Sequence, residues 1–421
     1  MKRHLIGIGG VGMSALATAL VRLGDEVTGA DRTLGTPNIK FLESLGVKVF
    51  PDDGSGVDQA TDEVIVSTAI EETNAGLIKA KELGIPVTHR AKALSRTLKD
   101  YKLVAVVGTC GKSTVTAMLG HVLAECGLDP MCVNGANVPG WESAVRFGKG
   151  QYAVAEVDES DKSLVAFKPY AAIVTNASAD HYSKEEMDEV FDAFIRDCKG
   201  PVIDGRKEEG RGKREEGRGA DEWITPLPGK HNLQNAALAA KMALALGCKP
   251  DDIRRALASF RGVERRLQLI SQPHPSSLIP HPFVYDDYAH NPEKLKAMWM
   301  TLVEKHPEGI CVIWRPHGYA PLRKMMDALA EMFVETVRPC DKLLLLSVYD
   351  AGGTTDRSIN SDELLHRIQT LKHSNTQTLQ VADLDAAYAW CAAHKSDYTA
   401  FVTCGARDPG LPVLARRLSE L

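Results

Sequence analysis

The sequence lacks three features that would each assign it to a class. It has no uninterrupted run of about 20 apolar residues, the length that a helix needs to cross a bilayer. It has no excess of positive charge, because its net charge is -5, so nothing in it predicts a nucleic-acid or anionic-membrane partner. Its nine cysteines include no CxxC pair, so neither a zinc site nor a disulfide framework is indicated. We expect a cytoplasmic protein with small-molecule partners, without membrane insertion, and either monomeric or homodimeric.

The chain is long enough for several hydrophobic cores. It has 421 residues, of which 44% are hydrophobic and 25% charged, the balance of a soluble globular protein. Strand-like runs alternate with helical patterns from end to end, which indicates an α/β fold with parallel sheets covered by helices. We predict three domains, at residues 1–98, 99–261 and 262–421. The first contains predicted strands at residues 4–8, 26–30 and 64–67, and the third at residues 283–286, 310–314, 343–346 and 400–403.

A glycine-rich loop at residues 108–114 (GTCGKST) lies between a predicted strand at 103–107 and an amphipathic helix. Such a loop aims backbone N–H groups and the helix N-terminus at phosphate oxygens, Lys112 adds a positive charge, and the Ser113 hydroxyl can bind Mg²⁺. Val106 occupies the place of the first glycine of the generic motif, and a plain glycine turn is the alternative. The Lys-Ser pair directly after Gly111 favours a phosphate loop.

Polar residues follow the next two predicted strands of the central domain. Glu156 begins an acidic segment after the strand at 152–155, at the carboxyl end where α/β sheets bind ligands. A carboxylate there can hold Mg²⁺ against a triphosphate, although an acidic segment by itself is more often a solvated turn. His181 follows the strand at 172–175 and can bind a second cation or orient a phosphate. Residues 199–221, rich in Gly, Arg, Lys and Glu, are predicted to be a solvated loop without chemistry.

A second glycine loop follows the first strand, with the spacing G-x-G-G-x-G from Gly7 to Gly12, and Asp31 ends the second strand. This arrangement can bind a dinucleotide or another ribose diphosphate, and a tight turn without a ligand is the alternative.

Two further motifs lie nearer the carboxyl terminus. Residues 229–235 (GKHNLQN) open an alanine-rich helix whose first residues can contact an adenine, or Asn232 can simply cap the helix. Residues 286–292 (DDYAHNP) end a strand with a carboxylate, a phenol, an imidazole and an amide close together, and Pro292 is predicted to begin a helix. We interpret this second cluster as a binding site.

Together, and in this order, the motifs resemble the Mur ligase family, and the resemblance covers nearly the whole chain. The matching segments, besides the loops above, include residues 155–161 (AEVDESD), 175–181 (TNASADH), 262–268 (GVERRLQ), 315–319 (RPHGY) and 348–352 (VYDAG). The resemblance implies an N-terminal Rossmann-like domain for a UDP-sugar, a central P-loop-type ATPase domain, and a C-terminal Rossmann-like domain for the amino acid. Met13 and Ser14 favour the branch of the family that adds L-alanine to UDP-N-acetylmuramate.

That resemblance also implies the activity and the residues that carry it. The activity is ATP- and Mg²⁺-dependent amide-bond formation through an acyl phosphate, in peptidoglycan precursor synthesis. The catalytic residues implied are Lys112, Glu156 and His181, and the Mg²⁺ ligands are Ser113, Glu156 and His181. The ATP-binding residues implied are Gly108, Thr109, Cys110, Gly111, Lys112, Ser113, Thr114, His231, Asn232, Asn235 and Asp287. The UDP-sugar residues are Gly9, Gly10, Gly12, Met13, Ser14 and Asp31. The amino-acid pocket is implied to contain Tyr288, His290, His317 and Arg323.

The sequence departs from the family pattern at informative places. Cys110 stands where the phosphate loop usually has histidine, and Gly318 and Pro321 stand where the alanine-adding enzymes usually have arginines near the substrate carboxylate. Arg315 or Arg323 is therefore expected to compensate, or the acceptor is another amino acid or a preformed peptide. Two alternative hypotheses assign the protein to other functional classes: a catalytically silent nucleotide-binding module and a nicotinamide-dependent dehydrogenase. The second rests on the first glycine loop alone and leaves the phosphate loop unexplained.

Overall fold

The computed structural model describes residues 1–158, 163–177, 184–209, 223–272, 281–350, 356–371 and 377–421. These residues form three mostly parallel sheets with helices between the strands, so the predicted α/β class is confirmed. They group into two compact units. One comprises the described residues within Met1–Leu227 and His231–Val263, and the other those within Pro228–Lys230 and Glu264–Leu421. In the part of the chain described, no helix is both long and apolar enough to cross a membrane.

The first sheet has five described strands in the order β3-β2-β1-β4-β5, all parallel. Its strands are β1 (Lys2–Ile6), β2 (Glu26–Asp31), β3 (Lys48–Pro51), β4 (Glu63–Val66) and β5 (Val87–His89). Its helices are α1 (Val11–Arg22), α2 (Pro37–Ser44), α3 (Ala75–Glu82) and α4 (Arg90–Thr97). From β1 the chain builds the sheet first to one side, with β2 and β3, and then to the other, with β4 and β5. The loop after β1 therefore lies at the switch point where open parallel sheets bind ligands.

The second sheet, which lies in the same unit, has the described order β11-β10-β6-β9-β7-β8. Its strands are β6 (Lys102–Val107), β7 (Met131–Val133), β8 (Val145–Arg146), β9 (Tyr152–Glu156), β10 (Ala171–Val174) and β11 (Val202–Asp204). Its helices are α5 (Lys112–Glu125), α6 (Lys184–Ile195), α7 (Arg206–Glu209), α8 (Lys230–Ala245) and α9 (Pro250–Ser259). The strands pair in parallel except β8, which is antiparallel to β7.

One expectation for this region was wrong. Residues 199–221 were predicted to be a loop throughout, but β11 and the short helix α7 lie within them. Val202 and Ile203 pair in parallel with β10, and the guanidinium of Arg206 bonds to the carboxylates of Asp188 and Asp204. The strand forms because Val202 and Ile203 lie beside the buried strand β10, and the helix is anchored by the arginine that bonds to two carboxylates. These contacts stabilise ordered structure in a segment whose composition is mostly polar. The sequence Glu-Glu-Gly-Arg-Gly occurs twice in this segment, at residues 208–212 and 215–219, and lies almost wholly outside the described residues.

The third sheet has the described order β12-β13-β17-β14-β15-β16. Its strands are β12 (Gln268–Ser271), β13 (Phe283–Asp287), β14 (Ile310–Trp314), β15 (Lys342–Leu346), β16 (Thr378–Val381) and β17 (Ala400–Cys404). Its helices are α10 (Pro292–Lys305), α11 (Tyr319–Thr336), α12 (Ser361–Thr370), α13 (Leu384–Ala393) and α14 (Gly410–Leu418). Only the β12–β13 pair among them is antiparallel.

Local sequence signals explain several of these boundaries. Pro292 begins α10, as predicted, and the Asn291 side chain caps it by accepting from the Lys294 amide at 2.9 Å. Thr36 and Pro37 start α2 in the same way. The strands β6 and β14 are continuous apolar runs because helices cover both faces of a parallel sheet.

Candidate active-site residues

The predicted phosphate loop lies between the buried strand β6 and helix α5, so the expected order of strand, glycine turn and helix is present. Gly108 and Gly111 both have positive φ, at 130° and 83°. A Cβ atom on Gly111 would lie 2.7 Å from Asn235 Oδ1, and one on Gly108 would collide with Thr175 Oγ1. Both positions therefore need glycine, for conformation and for space. The turn directs the N-terminus of α5, where Ser113 and Thr114 are buried, towards the carboxyl edge of the sheet.

The end of the neighbouring strand β10 holds this loop in place. Asn176 Oδ1 accepts hydrogen bonds from the Cys110 amide at 2.9 Å and the Thr109 hydroxyl at 2.7 Å. The Cys110 carbonyl accepts from Thr175 Oγ1 at 2.6 Å and from Asn176 Nδ2 at 3.1 Å. The replacement of the family's usual histidine by Cys110 thus falls at a position that is held through its backbone. Lys112 Nζ donates to the Gly108 carbonyl at 2.6 Å, which keeps the ammonium group over the loop.

Glu156 ends β9, whose register pairs it with Val106 of β6. Its Oε2 atom accepts from the Gly135 amide at 2.8 Å, which fixes the carboxylate beside the phosphate loop. Glu156 and Ser113 offer hard oxygen donors, the type that Mg²⁺ prefers, so both fit that ion. Among the described residues there is no cluster of three His, Cys, Asp or Glu side chains arranged to hold a metal. The third predicted ligand, His181, lies outside the described residues.

Helix α8 brings the predicted adenine-binding residues to the same loop. Asn235 Oδ1 approaches Gly111, and Asn235 Nδ2 donates to Asn232 Oδ1 at 3.3 Å. Both asparagines are buried, whereas His231 is exposed. The helix begins at Lys230, so Asn232 lies within its first turn and is not the residue that caps it.

The first glycine loop is held by its own neighbours. Asp31 Oδ2 accepts from the Gly9 amide at 2.8 Å, Oδ1 accepts from Thr33, and Asn38 Nδ2 donates to the Gly9 carbonyl at 2.9 Å. Gly10 is the N-cap residue of α1, and it has no side chain to cap the helix. The first backbone amides of α1 therefore lie at the carboxyl edge of the first sheet without a side-chain cap. The Met13 side chain lies in the core, and the buried Ser14 hydroxyl donates to the Val11 carbonyl. Asp31 thus holds the loop, whereas the side chains of Met13 and Ser14 make their contacts within the core and within α1.

One residue near this loop was not anticipated from the sequence. A Cβ atom on Gly12 would lie 2.9 Å from the Arg90 guanidinium, so Arg90, the first residue of α4, faces the N-terminus of α1. Its position follows from the pairing of β5 with β4, which no local pattern reveals. An arginine beside a helix N-terminus adds to the positive potential there.

In the unit of the third sheet, the two aspartates at the end of β13 are bonded to the protein. Arg265 Nε lies 3.0 Å from Asp286 Oδ2, and Thr403 Oγ1 donates to Asp286 Oδ1 at 2.7 Å. Burial nevertheless raises the pKa of Asp286 to about 6. Asp287 accepts from the amides of Leu267 at 2.6 Å and Ala289 at 2.7 Å, and burial raises its pKa too. Asp287, predicted to bind ATP, thus fixes the turn after β13.

The structure brings together three of the four residues predicted for the amino-acid pocket. The rings of His290 and His317 lie 4.8 Å apart, edge to face, and Tyr288 lies edge-on to His290 at 5.5 Å. Burial lowers the pKa of His290 and of His317 to about 4, so both imidazoles are neutral near pH 7. Arg323 instead pairs with Asp356 at 2.9 Å and with Ser358 at 3.0 Å.

Comparison with known proteins agrees with this arrangement. A family model described as "Mur ligase family, catalytic domain" matches residues 2–102, and one described as "Mur ligase, glutamate ligase domain" matches residues 265–407. Two proteins named UDP-N-acetylmuramate–L-alanine ligase are similar to this chain. The one from Sinorhizobium medicae is 29% identical and the one from Koribacter versatilis is 30% identical. Each alignment covers 99% of this chain and 97% of the relative.

Solved structures show the same relationship. The crystal structure of the UDP-N-acetylmuramate-alanine ligase from Thermotoga maritima superposes with a TM-score of 0.82 at 26% identity, covering 100% of this chain and 98% of that one. A murein peptide ligase from Psychrobacter arcticus, 20% identical, shares the fold with a TM-score of 0.70, over 100% of this chain and 99% of that one.

Proposed function

Because the chain belongs to the Mur ligase family, we propose that it joins L-alanine to UDP-N-acetylmuramate with ATP, as a carbon–nitrogen ligase of peptidoglycan precursor synthesis. One observation carries the proposal: relatives named for that activity align with the chain from end to end. The proposal includes Mg²⁺ as a cofactor, a cytoplasmic location, and the division into domains at residues 1–98, 99–261 and 262–421. It also includes the UDP-sugar at the first glycine loop and ATP at the second.

The geometry of the phosphate loop supports ATP as the phosphoryl donor. Backbone amides at the start of α5 and the ammonium group of Lys112 face the carboxyl edge of the sheet, where they can bind the β- and γ-phosphates. Asn176 holds the loop through Cys110, so the amides need little rearrangement when the phosphates bind. A bound Mg²⁺ would be held by Ser113 and Glu156, with His181 proposed for a second ion, and would neutralise phosphate charge.

The reaction then proceeds in two substitutions. A carboxylate oxygen of the lactyl group attacks the γ-phosphorus, the bond to the β-phosphate oxygen breaks, and ADP leaves with that electron pair. Lys112 and the loop amides stabilise the charge that develops on the transferred group, so the protein contributes mainly position and electrostatics. The amine of the acceptor next attacks the acyl carbon, phosphate leaves, and the nitrogen loses its proton. The neutral imidazoles of His290 and His317 do not repel an incoming ammonium group.

The test is phosphate release from ATP and Mg²⁺ with UDP-N-acetylmuramate and one acceptor at a time: L-alanine, other amino acids, and the wall tripeptide. We expect release only when the sugar nucleotide and L-alanine are both present. Release that requires another amine would reassign the acceptor, which the loss of arginines at Gly318 and Pro321 makes a specific alternative. Absence of release with every acceptor would contradict the ligase proposal.

A further inference from the structure

Three loops meet at the carboxyl edge of the third sheet. The strands β13, β17 and β14 are neighbours in that order, and Cys404 of β17 is level with Asp287 on one side and Trp314 on the other. The loop that follows β17 therefore starts between the loop that carries His290 and the loop that carries His317. Arg407 is the third residue of this central loop, and its side chain is exposed.

Two other arginines hold the central loop, one through backbone carbonyls and one through the side chain of Asp408. Arg265 donates to the carbonyls of Gly405 at 2.5 Å and Ala406 at 2.9 Å. Arg315 Nη1 lies 2.7 Å from Asp408 Oδ2, and Asp408 Oδ1 accepts from the Gly410 amide. Arg407 is thus held between two fixed neighbours. Within the described parts of the chain, its own guanidinium has neither a hydrogen bond nor an ion pair.

The charges around the two histidines are positive. Arg407 and Lys294 both act electrostatically on His317, and Lys294 and Arg266 act on His290. Three nearby carboxylates are already bonded to the protein: Asp286 to Arg265, Asp287 to backbone amides, and Asp408 to Arg315. Neutral imidazoles beside the exposed guanidinium of Arg407 favour an anionic group.

The arginines that the sequence suggested for this role are in use elsewhere. Arg315 is bonded to Asp408 and to the Ser347 carbonyl, and Arg323 to Asp356 and Ser358. Gly318 directly precedes α11 and Pro321 lies in its first turn, so neither offers a charge. Arg407 lies on the loop between those of His290 and His317 and is exposed.

We propose that Arg407 binds the carboxylate of the acceptor amino acid and so takes the role left vacant at Gly318 and Pro321. This inference rests on the proposed ligase function. The alternative ligand for the same guanidinium is a phosphate group of the nucleotide, and the carboxylate and the phosphate predict different kinetic changes. A guanidinium that pairs with a carboxylate contributes a charge-assisted hydrogen bond.

The experiment is the steady-state phosphate-release assay on the full chain carrying Arg407→Ala, with each of the three substrates varied in turn. We expect the KM for L-alanine to rise by about 10- to 100-fold, as for loss of a charge-assisted hydrogen bond, with the KM values for ATP and the sugar nucleotide unchanged. Arg407→Lys should recover part of the loss. Arg417→Ala, which removes an exposed arginine paired with Asp385 in the same unit, is the matched control and should leave all three KM values unchanged.

A second arm uses L-alaninamide, which has no carboxylate. The wild-type protein and Arg407→Ala should use this acceptor with the same kcat/KM, because the group that Arg407 contacts is missing. An unchanged KM for L-alanine in an active Arg407→Ala variant would overturn the inference, as would a rise confined to the KM for ATP. A wild-type protein that uses no acceptor would instead contradict the proposed function, so the two failures are distinguishable.

Discussion

The Asn176 side chain forms two hydrogen bonds with the backbone of Cys110: Oδ1 accepts from the Cys110 amide at 2.9 Å, and Nδ2 donates to the Cys110 carbonyl at 3.1 Å. The two residues are 66 positions apart in the chain. They meet because β10 pairs with β6, whose end begins the phosphate loop. The shape of the loop therefore depends on the neighbouring strand as well as on its own glycines.

We predict that Asn176→Ala raises the KM for ATP by about 10- to 100-fold, because the loss of three hydrogen bonds of roughly 1 kcal/mol each loosens the loop. The phosphate-release assay with ATP varied measures this. Asn38→Ala is the matched control, since Asn38 bonds to Gly9 of the first glycine loop and should alter the KM for the sugar nucleotide instead. Equal effects of the two variants on both substrates would contradict the separation of the two loops.

Lys112→Ala should abolish ATP turnover and leave the affinity for the UDP-sugar nearly intact. Lys112 opens α5 in the loop after β6, whereas the first glycine loop follows β1 in a different sheet. Loss of the ammonium group removes the charge that stabilises the transferred phosphoryl group, so the rate of ATP turnover should fall by about 100-fold or more. Phosphate release and titration calorimetry with UDP-N-acetylmuramate are the measurements. An equal loss of turnover and sugar binding would contradict this division.

Asp341 should make the unit of the third sheet sensitive to acid. Burial by itself would raise its pKa, but hydrogen bonds from Arg338, Trp299 and the Ile310 amide lower it below the ordinary value. A lowered pKa stabilises the fold above the unfolded-state pKa of about 4, and this contribution is lost as pH falls through the folded-state pKa.

Asp341→Asn should therefore lower the free energy of unfolding by about 2 to 3 kcal/mol at pH 7. The difference from the wild-type protein should shrink as pH falls from about 4 through the lower folded-state pKa, because the wild-type carboxylate takes up a proton first in the unfolded state and then in the folded state. Urea denaturation at several pH values measures both. The exposed Asp385→Asn is the control and should change stability little. A difference that stays constant down to pH 3 would show that charge is not the cause.

The neutral histidine pair predicts a second pH dependence. Because burial lowers the pKa of His317 to about 4 from its usual 6.5, the folded state favours the neutral ring. The stability that this preference contributes is fully present above about pH 6.5 and is lost as pH falls towards 4. After allowance for partial exposure, the free energy of unfolding should fall by on the order of 1 kcal/mol between pH 7 and 5. His317→Gln should reduce this loss in denaturation experiments. An NMR midpoint for His317 near 6.5 would contradict the burial.

Patterns over short stretches determined much of the fold. The apolar run that forms β6, the glycines after it and the helical periodicity of α5 all lie between Lys102 and Glu125, so strand, loop and helix could be predicted together. The edge strand β11 was missed because its three residues lie in a polar segment and are recognisable as a strand only beside β10. Short strands such as β16 depend on the same support from a neighbour.

The sequence by itself determined the α/β class, the two glycine loops, the acidic and histidine residues at strand ends, and the resemblance to a ligase family. These are local features, set by periodicity and by residues that permit only certain backbone shapes. Only the tertiary structure decided which side chains meet: Asn176 with Cys110, Arg265 with Gly405, and Arg407 between the loops of His290 and His317. Such contacts join residues up to 140 positions apart and follow from the order of strands in a sheet, which local sequence does not encode.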